Sequence, residues 1–159
     1  MCIRDRFQVF SAPTGTGTSG MSIAGHASSG GIGLQIFQNS GVKINVGFRG
    51  NSNDYSTATL ELNKWTCVQY SRATNTTVRI YINGELNSTH TGTNLLAIDH
   101  TSDAFEIGHA ETRIGPLQGQ IALTSVYNRA LTHAEFRQNF RAIRRRFELA
   151  ESTDNLSWY

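Results

Sequence analysis

Carboxylates, imidazoles and amides are the residues of this chain best suited to chemistry, and their spacing opposes most catalytic arrangements. A sandwich-type glycosidase holds two carboxylates close together, one as acid and one as nucleophile or base. On the expected strands the pair to consider is Glu106 and Glu111, which fall on either side of an expected turn and read as structural or solvated groups. His26, His90, His100, His109 and His133 show neither H-x-x-x-H nor H-x-H spacing, so no zinc ligand set forms. No G-x-S-x-G elbow anchors a nucleophilic serine. Gly15–Gly20, GTGTSG, has the letters of a dinucleotide fingerprint, but strand-like MSIAGH follows it where a helix is needed.

Binding chemistry is better represented. Asn51, Asn53 and Asp54 in one expected loop, and Asp99 and Asp103 in another, offer hard oxygen ligands. Calcium is the one ion they suit, although neither loop reads D-x-D-x-D-G and turn chemistry alone places Asn and Asp in such loops. No cofactor is otherwise expected. Polar faces of half-buried strands give a second candidate: Arg79 and Tyr81, Lys43 and Asn45, and Gln35 with Phe37, laid side by side on one sheet, would form a shallow glycan groove. Aromatic planes with amide and guanidinium donors hold sugars in this way; the competing reading is an ordinary solvated sheet face. Asn75, Asn87 and Asn155 each begin an N-x-[ST] triplet, informative only in a eukaryotic secretory protein.

These groups need a scaffold, and periodicity supplies one. Val42, Ile44, Val46 and Phe48 alternate with Lys43, Asn45 and Gly47, which is a half-buried strand entered through a turn at Asn39–Gly41. Val78, Ile80 and Ile82 alternate with Arg79 and Tyr81, and Asn83-Gly84 supplies a type I′ hairpin turn. Further strands are expected at MSIAGH, GIGLQIF, near Thr57–Leu60, at WTCVQYSR and at AFEIGH. QIALTSVYN carries apolar residues on both faces, which predicts a strand near a sheet centre. Thr132 and Glu135 then form a capping box that opens a helix with Phe136, Phe140, Ile143 and Phe147 on one stripe.

Composition sets the limits. At 159 residues, with 38% hydrophobic and 16% charged residues and 15 glycines, the chain suits one β-rich domain. The net charge is +2, yet residues 131–147 carry five arginines, Arg137, Arg141, Arg144, Arg145 and Arg146, against Glu135. An anionic partner would meet that helix, but its aromatics lie on a different stripe from the arginines, which weighs against single-stranded nucleic acid. With Cys2 and Cys67 alone there is no disulfide framework. No apolar run is long enough to span a membrane, so membrane insertion is not expected. Residues 1–6, MCIRDR, resemble an adapter-derived prefix of environmental sequence assemblies and are set aside from the fold. The domain is expected over 7–147, lacking its first strand and so leaving an open edge, with 148–159 as a tail.

Trp65-Thr-Cys-Val, Val78-Arg-Ile-Tyr-Ile-Asn-Gly, Phe105-Glu-Ile-Gly and Gly119-Gln-Ile-Ala, leading into Val126-Tyr-Asn-Arg-Ala-Leu-Thr, follow one another in a telling order. Together they resemble the laminin-G-like jelly-roll domain of the concanavalin A-like lectin and glucanase superfamily. The resemblance implies an all-β fold, a two-sheet antiparallel jelly-roll sandwich with one short C-terminal amphipathic helix. It also implies that Trp65 starts a central strand. The acidic active-site strand of the family's enzymes is missing, and Cys67 stands where these domains often have His. ALTHAEFRQNFRAIRRRF is similar to versions in phage and viral structural proteins. The expectation is therefore a non-catalytic module of a virion or extracellular structural protein, whose partner is a carbohydrate or a neighbouring structural protein. The alternatives are a carbohydrate-binding module of a secreted enzyme and a degenerate glycoside hydrolase.

Overall fold

The computed structural model describes residues 2–10, 12, 20–26, 32–38, 40–48, 52–74, 77–91, 104–109 and 115–152. Its strands in chain order are β1 (Cys2–Val9), β2 (Met21–His26), β3 (Ile32–Gln38), β4 (Val42–Phe48), β5 (Ser52–Tyr55), β6 (Trp65–Thr74), β7 (Thr77–Ile82), β8 (Glu85–Thr91), β9 (Phe105–Ile107), β10 (Gly115–Pro116) and β11 (Gly119–Tyr127). One helix, α1 (His133–Ser152), closes the described chain. A first sheet runs β11-β1-β6-β7-β8; a second runs β10-β2-β3-β4-β5, with β9 also paired to β2. All pairings are antiparallel except β10 with β2.

Period-2 patterning decides which residues meet between the sheets. Met21 and Ile23 of β2, Leu34 and Ile36 of β3, and Val42, Ile44 and Val46 of β4 form one core with Phe7, Val9, Val68, Tyr70, Val78 and Ile80 of the first sheet. Each buried aliphatic or aromatic side chain contributes roughly 1.5–3 kcal/mol relative to exposure, so this slab is the main source of stability. Trp65 does start an interior strand, since β6 lies between β1 and β7.

Local turn chemistry agrees with the sequence. Asn83 (φ 51°) and Gly84 (φ 85°) make the β7–β8 turn in the left-handed region that an I′ turn demands. Ser40 (φ 49°) and Gly41 (φ 112°) join β3 to β4. At the helix start the Thr132 amide donates to Glu135 Oε2 at 2.8 Å, and the Glu135 amide donates to Thr132 Oγ1 at 3.3 Å, the two arms of the capping box.

Four expectations change. Cys2–Arg6, set aside for their resemblance to an adapter-derived prefix, form most of β1, paired to β6 on one side and β11 on the other. Ladder bonds use main-chain groups that almost any residue supplies, so a segment without periodicity can still pair. The strand expected near Thr57–Leu60 lies earlier, at Ser52–Tyr55; Ser56 and Leu60 instead donate single backbone bonds to the Ile44 and Val42 carbonyls. The helix is not short: it spans 20 residues and passes the expected tail boundary at 148. Finally β11 is a sheet edge, and the register of Arg6 with Leu123 and of Phe7 with Ile121 skips Ala122, a bulge that breaks the alternation.

Candidate functional site

The six residues expected to share a groove lie on two different sheets. Arg79 and Tyr81 are on β7 of the first sheet; Gln35, Phe37, Lys43 and Asn45 are on β3 and β4 of the second. Period 2 assigns a residue to a face of its strand, but nothing in it assigns the strand to a sheet.

On the first sheet α1 covers the outward face around Tyr81. Tyr81 is 3% exposed, with its ring centroid 4.4 Å from that of Phe136 and 5.4 Å from that of His133. Phe136 is wholly buried, and its carbonyl accepts a 3.3 Å bond from Gln69 Nε2, so the first turn of α1 is seated on β6 and β7. Phe140 packs over Gly84, where an added Cβ would come within 2.9 Å of its ring. His133 Nε2 lies 3.2 Å from the Gly84 carbonyl, and Arg137 Nε lies 3.2 Å from Glu85 Oε1. Beside this seat Arg129 and Thr132 hold the Glu135 carboxyl down to about 2, first through the Arg129 hydrogen bond at 2.6 Å. Tyr81 thus serves as a floor for the helix. Arg79, half-buried opposite Ser71, is separated from the other candidates by the core.

The second sheet brings the other four together. Its register places Ser22, Gln35 and Asn45 directly opposite one another across β2, β3 and β4, and Phe37 opposite Lys43 in the next row. The core face takes Met21, Ile36 and Ile44, so this amide row belongs to the outward face. Gln35 folds flat over Gly33, where a Cβ would stand 2.5 Å from Nε2; Phe37 lies over Gly20 in the same manner, at 2.7 Å. Ser22 and Asn45 are wholly buried, Phe37 and Gln35 nearly so, and only Lys43 is half-exposed. The open, shallow groove expected from the sequence is therefore not what forms.

Among the described residues, buried polar atoms without a partner occur on both sheets, Gln69 Oε1 and Ser71 Oγ on the first among them, and three lie in this row. They are Ser22 Oγ and both amide atoms of Asn45. A buried polar group left unpaired costs about 1–3 kcal/mol, so three such atoms in one row call for a polar counterpart. Ser22 was not singled out from the sequence; the signal was present, because Met21 and Ile23 point inward and leave Ser22 on the face of Gln35.

The remaining candidates separate as follows. Asn53 and Asp54 belong to β5, opposite Gly47 and Val46, and not to a loop, while Asn51, Asp99 and Asp103 lie outside the described residues. Among the described residues no group of three His, Cys, Asp or Glu side chains is placed to hold a metal ion. Glu106 has no carboxylate pair here, since Glu111 is outside the described residues; its partner is His109, at 3.3 Å. Cys67 is buried and unbridged. Arg141, Arg144, Arg145 and Arg146 are exposed along α1. No described helix is long and apolar enough to cross a membrane.

Residues 7–137 match the family model described as the concanavalin A-like lectin/glucanases superfamily. No curated protein matches the chain by sequence. Among solved structures, domain 4 of AbnA, a GH43 extracellular arabinanase from Geobacillus stearothermophilus, in complex with arabinotriose, superposes with a TM-score of 0.64 at 16% identity; the match covers 86% of this chain and 64% of that one. The Ruminococcus gnavus IT-sialidase CBM40 bound to α2,3 sialyllactose gives 0.67 at 18% identity, covering 87% and 81%. The native heptameric SAP-like pentraxin of Limulus polyphemus gives 0.64 at 17%, covering 86% and 67%. At these identities the likeness is one of fold.

Proposed function

The chain belongs to the concanavalin A-like lectin/glucanases superfamily, and from that premise we propose that it is a non-catalytic carbohydrate-binding domain of an extracellular protein. Its ligand surface is the outward face of the second sheet, where Ser22, Gln35, Asn45 and Lys43 supply hydroxyl, amide and ammonium groups beside the Phe37 ring. Asn45 carries the reading: both ends of its carboxamide are unpaired, and a sugar that displaces the side chains covering it, entering beside half-exposed Lys43, offers vicinal hydroxyls that donate to Oδ1 and accept from Nδ2. Arabinotriose and sialyllactose on two domains of the same fold support the ligand class. The covered face of the first sheet supports the choice of surface, because α1 occupies the alternative.

A second reading, a structural module of a virion or other extracellular assembly, is favoured by the run of exposed arginines on α1, a form suited to an acidic neighbour. The two readings are compatible, since a decorating module can also bind glycans.

A glycan array probed with and without calcium tests the proposal. Binding to a defined set of oligosaccharides, unchanged by chelation and without release of shorter products, is expected. A folded protein that binds no glycan would contradict the carbohydrate reading, and turnover of a polysaccharide would contradict the non-catalytic one.

A further inference from the structure

Residues 136–147 of α1 hold five arginines and no carboxylate, since Glu135 and Glu148 are the nearest acids on either side. Arg137, Arg141 and Arg145 are spaced by four residues, so they rise along one face of the helix in steps of about 6 Å. All three are exposed. Arg137 reaches Glu85, with Nε 3.2 Å from Oε1, whereas among the described residues no carboxylate holds Arg141 or Arg145. Like charges at this spacing repel and weaken a helix, so the sequence carries a local conflict that an anionic partner would relieve.

The face also has a groove. Ala134, Gln138 and Ala142 form the adjacent row of four-residue spacing; all are exposed, and their side chains are shorter than the arginines beside them. Against these rows lies a depression of about 300 Å³, lined by Ala134, Arg137, Gln138 and Arg141. Two guanidinium forks one turn apart, with an amide beside them, suit planar oxyanions. The chain uses the same fork elsewhere: Arg129 Nη1 and Nη2 donate to the two Glu135 carboxylate oxygens at 3.0 and 2.6 Å.

We propose that this face docks an acidic helix of a neighbouring protein, whose glutamate or aspartate side chains recur about once per turn and meet Arg137, Arg141 and Arg145 in register. A second helix repeats at the same step along its axis, and its side chains fit the groove beside the arginine row. Other anionic surfaces fit less well. A lipid surface would need the apolar stripe, but Phe136 is buried on Tyr81 and Phe140 packs over Gly84. A nucleic-acid backbone calls for a broad positive field; the chain's net charge is only +2, and outside residues 131–147 it is net negative. The proposal gives chemical form to the acidic neighbour of the second reading, on which it rests, and is independent of the carbohydrate reading.

Fluorescence anisotropy of the full chain with a labelled alanine-based peptide, about four turns long and bearing glutamate at every fourth position, tests this. The peptide should bind several-fold more tightly than one of the same composition with its glutamates spread round the helix. Arg141→Ala and Arg145→Ala should each weaken binding several-fold. Lys64→Ala, an equal loss of charge at an exposed site outside α1, should leave it unchanged, with circular dichroism and melting confirming that all three variants fold. No binding, equal binding of the two peptides, or equal losses in Lys64→Ala and the arginine variants would overturn the proposal. So would tighter binding of a DNA duplex, a sulfated oligosaccharide or phosphatidylserine vesicles than of the periodic peptide. Periodic-peptide binding by a chain that joins no larger assembly would uphold this surface while setting aside the structural-module reading.

Discussion

Two residues with nearly the same sequence context have opposite fates. Tyr81 and Asn45 each sit at an outward position of an alternating strand, but one floors a helix and the other lies unpaired in an amide row. Alternation could identify both as outward, and it could not say what covers them, because cover comes from elements distant in sequence. The consequence is specific: Lys43→Ala, at a half-exposed position, should weaken glycan binding at least several-fold in a calorimetric titration, whereas Arg79→Ala should leave it unchanged. Loss of binding in Arg79→Ala alone would return the site to the first sheet. Glu135 offers a pH test. Its folded-state value, about 2 against an ordinary 4.5, means that its stabilising contribution is complete above about 4.5 and fades as pH falls towards 2. The difference in melting temperature between wild type and Glu135→Gln should therefore shrink over that interval; a constant difference would show that the Arg129 and Thr132 contacts do not persist in solution.

At the level of elements, what was local in sequence was legible. The Asn83-Gly84 turn and the Thr132/Glu135 box each need only a few neighbouring residues, and both form as their chemistry requires. They also meet: the helix seats Phe140 on Gly84 and Phe136 on Tyr81, so one turn sets the position of one helix. Gly84→Ala should cost roughly 1–2 kcal/mol from left-handed strain alone, and more through the clash with Phe140. Phe136→Ala should cost about 3 kcal/mol, both measured by urea unfolding; values under about 0.5 kcal/mol, the range of ordinary surface changes, would mean that α1 is not docked. The elements misjudged were those whose place depends on non-local pairing. β1 was hidden because Cys2–Arg6 carry no periodicity, and β11 was assigned to a sheet interior because a bulge at Ala122 mimics two apolar faces.

For the whole molecule, the alternation of hydrophobic residues together with the order of strand motifs was enough to specify a two-sheet sandwich, because each strand's inward set has only one core to enter. It was not enough to specify a groove. The helix covers the outward face of the first sheet around Tyr81, and the amide row of the second sheet is one place where buried hydrogen-bonding capacity is left unmet. The proposed carbohydrate site therefore turns on Asn45. Replacing it with leucine removes both unpaired amide atoms and keeps nearly the same shape, so an unliganded domain should tolerate or gain from the change. The decisive measurement is a calorimetric titration of the best array oligosaccharide into Asn45→Leu beside wild type, with melting temperatures recorded for both. Binding lost while the melting temperature holds or rises is the expected result. Binding retained at wild-type affinity in a folded Asn45→Leu domain would contradict the assignment of the amide row as the carbohydrate site.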